Sequence, residues 1–155
     1  MISRHKIQVK VKYVRPLIFE LDTGYSTQDS AGVDLRACMD EEAIDIHPGE
    51  RHAFPSGIAI EICQEEIAGF VFSRSGLGAK HGLTVSQGVG VIDPDYRGEI
   101  IVSLLNTGNE TRTVKRGQRI AQLVFMPICR ANLTPVEELT ETVRGGGGFG
   151  HTGDM

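Results

Sequence analysis

Apolar and polar residues alternate along much of the chain with the period of two that is typical of β-strands. The clearest case is IQVKVKY at residues 7–13, which predicts a half-buried strand. Six more strands are predicted where apolar runs stand between turn signals: VDLRA, AIDI, GIAIEI, GFVFS, GEIIVSLLN and RIAQLVFMPI. Many short strands at a spacing of about 8–12 residues are typical of a β-sandwich, barrel or jelly roll. The pattern therefore predicts an all-β domain.

Turn-forming residues separate these runs as HPGE, FPSG, DPDYRG, NTGNE and KRGQ. In GVGVIDPDYRGEIIVSLLN, two apolar runs flank an acidic proline turn, which predicts a β-hairpin. Helical periodicity is scarce. SRSGLGAKHG allows one or two short helical turns, and TPVEELTETV predicts one more.

Composition agrees with a single globular domain: 155 residues, 40% hydrophobic and 23% charged. The net charge of −4 argues against bulk electrostatic binding to nucleic acid or to an anionic membrane, but it allows a small basic pocket for one phosphorylated ligand. The first residues carry no apolar leader segment, and no run approaches the roughly 20 residues of a membrane span. We expect a cytoplasmic protein.

The three cysteines, Cys38, Cys63 and Cys129, are far apart and lack the spacing of a thiolate metal site. Each has apolar neighbours. We therefore expect reduced, buried thiols.

The chain is predicted to divide into a β-domain at residues 1–133 and an arm at residues 134–155. The arm contains RGGGGFGHTG, which on composition alone is typical of a flexible tail. Glycine also permits close approach of the backbone to a ligand. In that case Arg144 could reach a phosphate and Phe149 could cover a ring.

The segment SRSGLGAKHGL, which follows a predicted strand, contains two hydroxyls, an arginine and free backbone N–H groups. Such groups suit a phosphate site, because arginine binds phosphate oxygens in a bidentate manner. The same residues are also compatible with a capped surface turn.

A second cluster, GVIDPDYRG, places Asp93 and Tyr96 around a proline turn. Asp93 could act as a general base on water and Tyr96 could offer a flat surface for a ring. Aspartate also commonly caps a turn, so that alternative stays open.

Two further clusters are weaker. In GVDLRA, Asp34 and Arg36 point to the same face of a strand and could form a surface ion pair. In RGQRIAQLVF, Arg119 and Gln122 interrupt an apolar strand, which alone indicates only a strand.

Taken in order, AGVDLRA, SRSGLGAKHG, GVGVIDPDYRG, GQRIAQLVF and RGGGGFGHTG resemble the five motifs of the trimeric dUTP diphosphatase (dUTPase) family. The resemblance implies a distorted jelly-roll-like β-barrel protomer with a flexible C-terminal arm. It further implies a homotrimer with active sites shared between subunits. The implied reaction is hydrolysis of dUTP to dUMP and pyrophosphate with Mg²⁺, which limits uracil in DNA and supplies dUMP for thymidylate synthesis.

The resemblance also implies residue roles. Asp93 would activate the attacking water, Tyr96 would pack against the deoxyribose, and Asp34 would hold the metal through water, with Mg²⁺ bound mainly by the triphosphate. Phosphates would be held by Arg74, Ser75 and Gly76 of a neighbouring subunit, with Gln122 nearby. The arm would contribute Arg144 to the γ-phosphate and Phe149 and Gly150 over the uracil. The uracil edge would be read by the main chain of Gln87, Val89, Gly90 and Val91. The sequence departs from the family pattern at Ser73, Gln87 and His151.

Two alternatives belong to other classes. One is a dCTP deaminase or a bifunctional deaminase, a related fold that also contains Ile-Asp-Pro. Against it, Ser103 stands where the deaminating glutamate is expected, and Glu99 comes too early on the strand. The other is a non-catalytic nucleotide-binding trimer, against which Asp93, Arg74 and the arm are all present.

Overall fold

The computed structural model describes residues 6–17 and 24–148. Within them the chain forms ten strands and one helix: β1 (Val9–Tyr13), β2 (Val33–Arg36), β3 (Ala43–Ile46), β4 (Arg51–Ile62), β5 (Ile67–Ser73), α1 (Ser75–His81), β6 (Leu83–Val85), β7 (Gly90–Ile92), β8 (Glu99–Asn106), β9 (Arg112–Lys115) and β10 (Arg119–Pro127). Two four-stranded antiparallel sheets have the orders β1-β4-β8-β6 and β2-β10-β5-β7, and β3 pairs with β9. The predicted all-β class is confirmed.

The core is built from the apolar members of the alternating runs. In β8, Ile100, Val102 and Leu104 are buried while the residues between them are more exposed. Side chains two apart on a strand share a face, so one face of each strand is covered. The largest buried side chains include Phe54, Leu35, Ile46, Ile120 and Leu123.

The segment FPSG is not a turn, contrary to the prediction. It lies inside β4, where the register with β8 shifts between Pro55 and Ala59. Gly57 has φ of 77° and its N–H donates to Glu99 Oε1 at 2.8 Å. Arg15 binds the same carboxylate at 2.8 and 3.1 Å. The residues FPSG thus form an irregularity within β4. The Gly57 N–H does not pair with β8 backbone there, and the Glu99 carboxylate accepts its hydrogen bond instead.

The predicted hairpin around the DPDYRG turn is also wrong. β7 pairs with β5 in the second sheet, whereas β8 pairs with β4 and β6 in the first. The turn therefore connects two sheets rather than two paired strands, and local turn residues do not determine which strand becomes the partner.

Asn106 lies fully buried at the end of β8. Its Nδ2 donates to the carbonyl oxygens of Ile46 and Glu110, both at 2.8 Å, and its Oδ1 accepts from Gly108 N at 2.9 Å. This side chain joins β3, β8 and the following loop, and no sequence signal distinguished it from an ordinary turn residue.

The helical prediction is confirmed for α1 and wrong for TPVEELTETV, which forms neither helix nor strand. Leu133, Leu139 and Val143 are 86–108% exposed, so these side chains have no apolar packing partner among the described residues. A short helix is marginal in water without such packing.

The first strand and two of the cysteines are more exposed than predicted. β1 lies at the edge of its sheet, with Val11 and Tyr13 exposed rather than half-buried. Cys38 is buried as expected, but Cys63 and Cys129 are exposed; none of these three cysteines forms a disulfide. Both misjudged thiols follow strand ends, where flanking apolar residues do not guarantee burial. Across the described ranges, no helix is long and apolar enough to cross a membrane.

Candidate active site

The first part of the site is a cleft between the two sheets, here called the Asp93 cleft. β6 and β7 are the terminal strands of their respective sheets, and the turn between them carries the chain from one sheet to the other. The cleft has a volume of about 230 Å³. Its lining consists of Val71, Val85, Gln87, Gly90, Val91, Ile92, Asp93, Tyr96, Ile100, Ile101 and Val102. This mixed lining of apolar side chains and polar groups suits a small planar ligand.

Five of the predicted site residues meet in this cleft: Gln87, Gly90, Val91, Asp93 and Tyr96. Val89 is exposed and is not among the lining residues. Gly90 packs tightly, because a Cβ there would lie 3.2 Å from Val71 Cβ and 3.3 Å from Gln87 Nε2.

Asp93 stands exposed at the mouth of the cleft. Its main-chain oxygen accepts from Tyr96 N at 3.1 Å, and Arg97 Nη1 donates to Pro94 O and Tyr96 O at 2.7 and 3.0 Å. Among the described residues, no hydrogen bond or ion pair engages the Asp93 carboxylate. The Asp93 carboxylate therefore does not cap the turn, which was the alternative role that the sequence allowed.

A serine pair lies next to Gln87, outside the cleft lining. Ser86 Oγ donates to Gln87 Oε1 at 3.0 Å and lies 2.9 Å from Ser103 Oγ. Ser103 is thus linked to the cleft only through Ser86 and Gln87. Glu99, the other position considered for a deaminase, is held by Arg15 and Gly57 N.

The second part, here called the Arg74 cleft, has a volume of about 420 Å³. It lies where β2 and β10 meet the start of α1, since Gln122 pairs with Asp34 across these strands. Five predicted residues meet here: Asp34, Arg74, Ser75, Gly76 and Gln122. The cleft is also lined by Ser26, Ser30, Gly32, Leu77, Lys80 and His81.

Asp34 connects two arginines in this cleft. Arg74 Nε lies 3.1 Å from Asp34 Oδ1, and Arg119 Nη1 lies 3.1 Å from Oδ2. Ser26 Oγ donates to Oδ2 as well. Burial alone would raise the pKa of Asp34, but the hydrogen bonds from Ser26 and Arg119 and the charges of the two arginines outweigh it, so the pKa is lowered. Asp34 is therefore ionised at neutral pH.

Arg119 and Ser26 were not among the predicted site residues. The signal for Arg119 was its position as a charged residue at the start of an apolar strand, beside Gln122. Nothing in the sequence singled out Ser26. Arg36, the other charged residue of GVDLRA, donates to Gly117 O at 2.9 Å, while Asp34 pairs with arginines from two other motifs.

The two clefts share no lining residue among those that the structure describes. The arm joins neither of them within its described part: Arg144 Nε donates to Gly147 O at 2.9 Å in a local turn. Phe149 and Gly150, predicted to cover a base, and His151 lie outside the described residues.

No group of three or more His, Cys, Asp or Glu side chains suited to a metal ion occurs within residues 6–17 and 24–148. Both Asp34 oxygens already accept from cationic side chains. The donor set in this part of the chain therefore fits a metal that a polyphosphate ligand brings with it, contacted through water, and does not fit an all-protein cage.

The dUTPase family model matches residues 22–153, which include both clefts. The chain belongs to the dUTPase family. It is 48% identical over 149 residues to a deoxyuridine 5′-triphosphate nucleotidohydrolase of Desulfitobacterium hafniense, covering 96% of this chain and 98% of that one. A relative of the same name from Escherichia coli is 43% identical over 149 residues, covering 94% and 97%.

Solved structures of dUTPases share the fold. A variant of the Staphylococcus bacteriophage 80alpha dUTPase with dUpNHpp has a TM-score of 0.81 at 24% identity, covering 94% of this chain and 98% of that chain. A variant of the dUTPase from phage phi11 of S. aureus, whose structure shows coordination of a structural Mg(II) ion, has a TM-score of 0.73 at 22% identity, covering 86% and 99%.

Proposed function

We propose that this dUTPase-family chain hydrolyses dUTP to dUMP and pyrophosphate. The observation that carries the proposal is the make-up of the Asp93 cleft, a small space lined by apolar side chains and polar groups, at whose mouth the Asp93 carboxylate has no partner among the described residues. Curated relatives that are 43–48% identical over nearly their whole length are named for this activity.

In the proposed reaction, Asp93 orients a water molecule and accepts its proton. The water oxygen attacks the α-phosphorus, the bond between that phosphorus and the bridging oxygen to the β-phosphorus breaks, and pyrophosphate leaves. Phosphoryl transfer depends mainly on positioning and charge neutralisation. One carboxylate base together with cationic groups that bind the phosphates is therefore sufficient for this reaction. Asp93 is exposed and its carboxylate has no competing partner among the described residues, which supports this role.

The base and sugar are proposed to occupy the Asp93 cleft. The uracil edge faces the main chain of Gln87, Val89, Gly90 and Val91, and the deoxyribose packs against Tyr96. Gly90 and Val91 both line the cleft, which supports contact between this main chain and the base. The Tyr96 ring at the sugar leaves no room for a ribose 2′-hydroxyl.

The phosphates are proposed to lie against Arg74, Ser75 and Gly76 of a neighbouring subunit, with Gln122 nearby. Among the described residues the two clefts share no lining residue, which supports a homotrimer with shared sites, because dUTP must contact both sets of groups. Mg²⁺ would be held by the triphosphate, with Asp34 contacting its water shell, and would neutralise phosphate charge.

The arm, residues 134–155, would close over the ligand with Arg144 on the γ-phosphate and Phe149 and Gly150 over the uracil.

We further propose a cytoplasmic location and a role in limiting uracil in DNA and supplying dUMP for thymidylate synthesis. Neither nucleic acid nor membrane is a proposed partner, given the net charge of −4.

The test is release of pyrophosphate from dUTP, dCTP, dTTP and UTP, each with and without Mg²⁺. We expect turnover of dUTP alone, and only with the metal. Ammonia release from dCTP would instead indicate the deaminase alternative. Binding of dUTP without turnover would indicate a non-catalytic trimer.

A further inference from the structure

Tyr96 lies directly over the main chain of Gly98. A Cβ added at Gly98 would lie 2.3 Å from the Tyr96 hydroxyl oxygen, 2.5 Å from its Cζ and 2.9 Å from its Cε2. Non-bonded heavy atoms prefer separations of about 3.5–4.0 Å. Any side chain at position 98 must therefore displace the ring by roughly 1 Å.

The backbone itself does not require glycine at this position. Gly98 is absent from the described glycines with positive φ, which are Gly49, Gly57, Gly82, Gly88, Gly117 and Gly145. An alanine could adopt the same backbone conformation. The Tyr96 ring is therefore what excludes a side chain at Gly98.

The far end of the ring is anchored as well. The Tyr96 hydroxyl donates to Glu99 O at 3.0 Å. The Glu99 side chain is in turn fixed by Arg15 and by the N–H of Gly57 in β4. The ring is held between the Gly98 backbone below and the start of β8 at its tip.

We propose that Gly98 is a specificity-determining residue for the sugar of the nucleotide, because the missing side chain lets Tyr96 sit where it excludes a ribose 2′-hydroxyl. The inference rests on the proposed function, in which the deoxyribose packs against Tyr96. Gly98 does not line the Asp93 cleft, so it acts by positioning the ring and touches no substrate atom.

The experiment compares kcat/KM for dUTP and UTP in the full-length protein and in Gly98→Ala. With a side chain at position 98 the ring can no longer occupy the position from which it excludes the 2′-hydroxyl, so the preference for dUTP is expected to fall about tenfold or more. The matched control is Gly78→Ala, where a Cβ would meet Thr84 Cγ2 at an ordinary 3.6 Å and which lines neither cleft. Its preference is expected to equal that of the unmodified protein.

A double-mutant comparison separates sugar positioning from general damage. In a Tyr96→Ala background there is no ring to displace, so adding Gly98→Ala should leave the dUTP/UTP ratio unchanged. If Gly98→Ala retains the full preference, or lowers it equally in the Tyr96→Ala background, the inference is wrong. If Gly98→Ala fails to fold but the double variant folds, the conflict with the ring is supported; if both fail, the backbone needs the glycine and the inference is overturned.

Failure of the inference and failure of the proposed function give different results. An unmodified protein that hydrolyses UTP as well as dUTP contradicts the proposed function before any variant is made. An unmodified protein that prefers dUTP, with a Gly98→Ala variant of equal preference, contradicts only the role of Gly98.

Discussion

Arg119 donates from Nη1 to Asp34 Oδ2 at 3.1 Å, joining the start of β10 to the middle of β2. Arg74, which directly precedes α1, binds the other oxygen of the same carboxylate. One partly buried aspartate therefore ties together three of the five sequence motifs. Its removal is expected to affect the geometry of the whole Arg74 cleft.

Asp34→Asn should weaken both arginine contacts, because a neutral amide cannot accept from two guanidinium groups as a carboxylate does. We expect a loss of about 1–3 kcal/mol in the free energy of unfolding and a higher KM for dUTP. Denaturant unfolding and steady-state kinetics measure the two effects. Asp45→Asn is the control, since Asp45 is an exposed strand carboxylate that accepts only from Thr113 Oγ1 among the bonds found. A variant with unchanged stability and KM but weaker Mg²⁺ dependence would favour the metal role alone.

The lowered pKa of Asp34 predicts a pH dependence of stability. The folded pKa lies below the unfolded value of about 3.9, so the ionised group stabilises the fold above that pH. This contribution is lost as the pH falls through the folded pKa, in a window that begins near pH 4 and extends downward. Denaturant unfolding from pH 7 to pH 3 should show a difference between the unmodified protein and Asp34→Asn that is constant above about pH 5 and shrinks below pH 4. A constant difference throughout would contradict the assignment.

Asp93→Asn should leave dUTP binding largely intact and reduce kcat by at least about 10², since a positioned carboxylate base contributes a factor of that order. The neighbouring Asp95→Asn is the matched control, because Asp95 does not line the Asp93 cleft. Steady-state pyrophosphate release measures kcat, and equilibrium binding of a non-hydrolysable dUTP analogue measures the affinity. Near-normal turnover in Asp93→Asn would remove Asp93 from the mechanism.

Asn106→Ala should destabilise the domain by about 2–4 kcal/mol, because it removes three hydrogen bonds of a fully buried side chain and leaves the buried Ile46 carbonyl oxygen without this donor. The exposed neighbour Asn109 provides the control, and Asn109→Ala is expected to change the free energy of unfolding by less than about 0.5 kcal/mol. Thermal and denaturant unfolding measure both. Equal effects would show that Asn106 has no special structural role.

Deletion of residues 144–155 should leave a folded trimer that hydrolyses dUTP poorly. The described part of the arm, residues 134–148, contributes no strand or helix, and its large apolar residues are exposed. The core therefore does not depend on the arm. Sedimentation and pyrophosphate release report assembly and activity separately. Full activity of the truncated protein would contradict a closing arm, and a monomer would place trimer contacts within it.

The sequence by itself determined most of the runs that become strands, although it did not predict β6 and β9; it also determined that α1 is short and which polar residues are candidates for chemistry. These are local properties: alternation sets the face of each strand, and Asp93, Tyr96 and Arg74 are conspicuous because they stand in polar turn segments directly after apolar runs. A resemblance spanning five motifs added the expected activity.

Only the tertiary structure decided how these local pieces meet. FPSG, predicted as a turn, lies within β4, and β7 and β8 belong to different sheets. Arg119 forms an ion pair with Asp34 across the paired strands β10 and β2. Strand partners and buried hydrogen bonds depend on contacts between residues far apart in sequence, and no local pattern encodes them. The same holds for Gly98, whose missing side chain has a reason only once the Tyr96 ring lies over it.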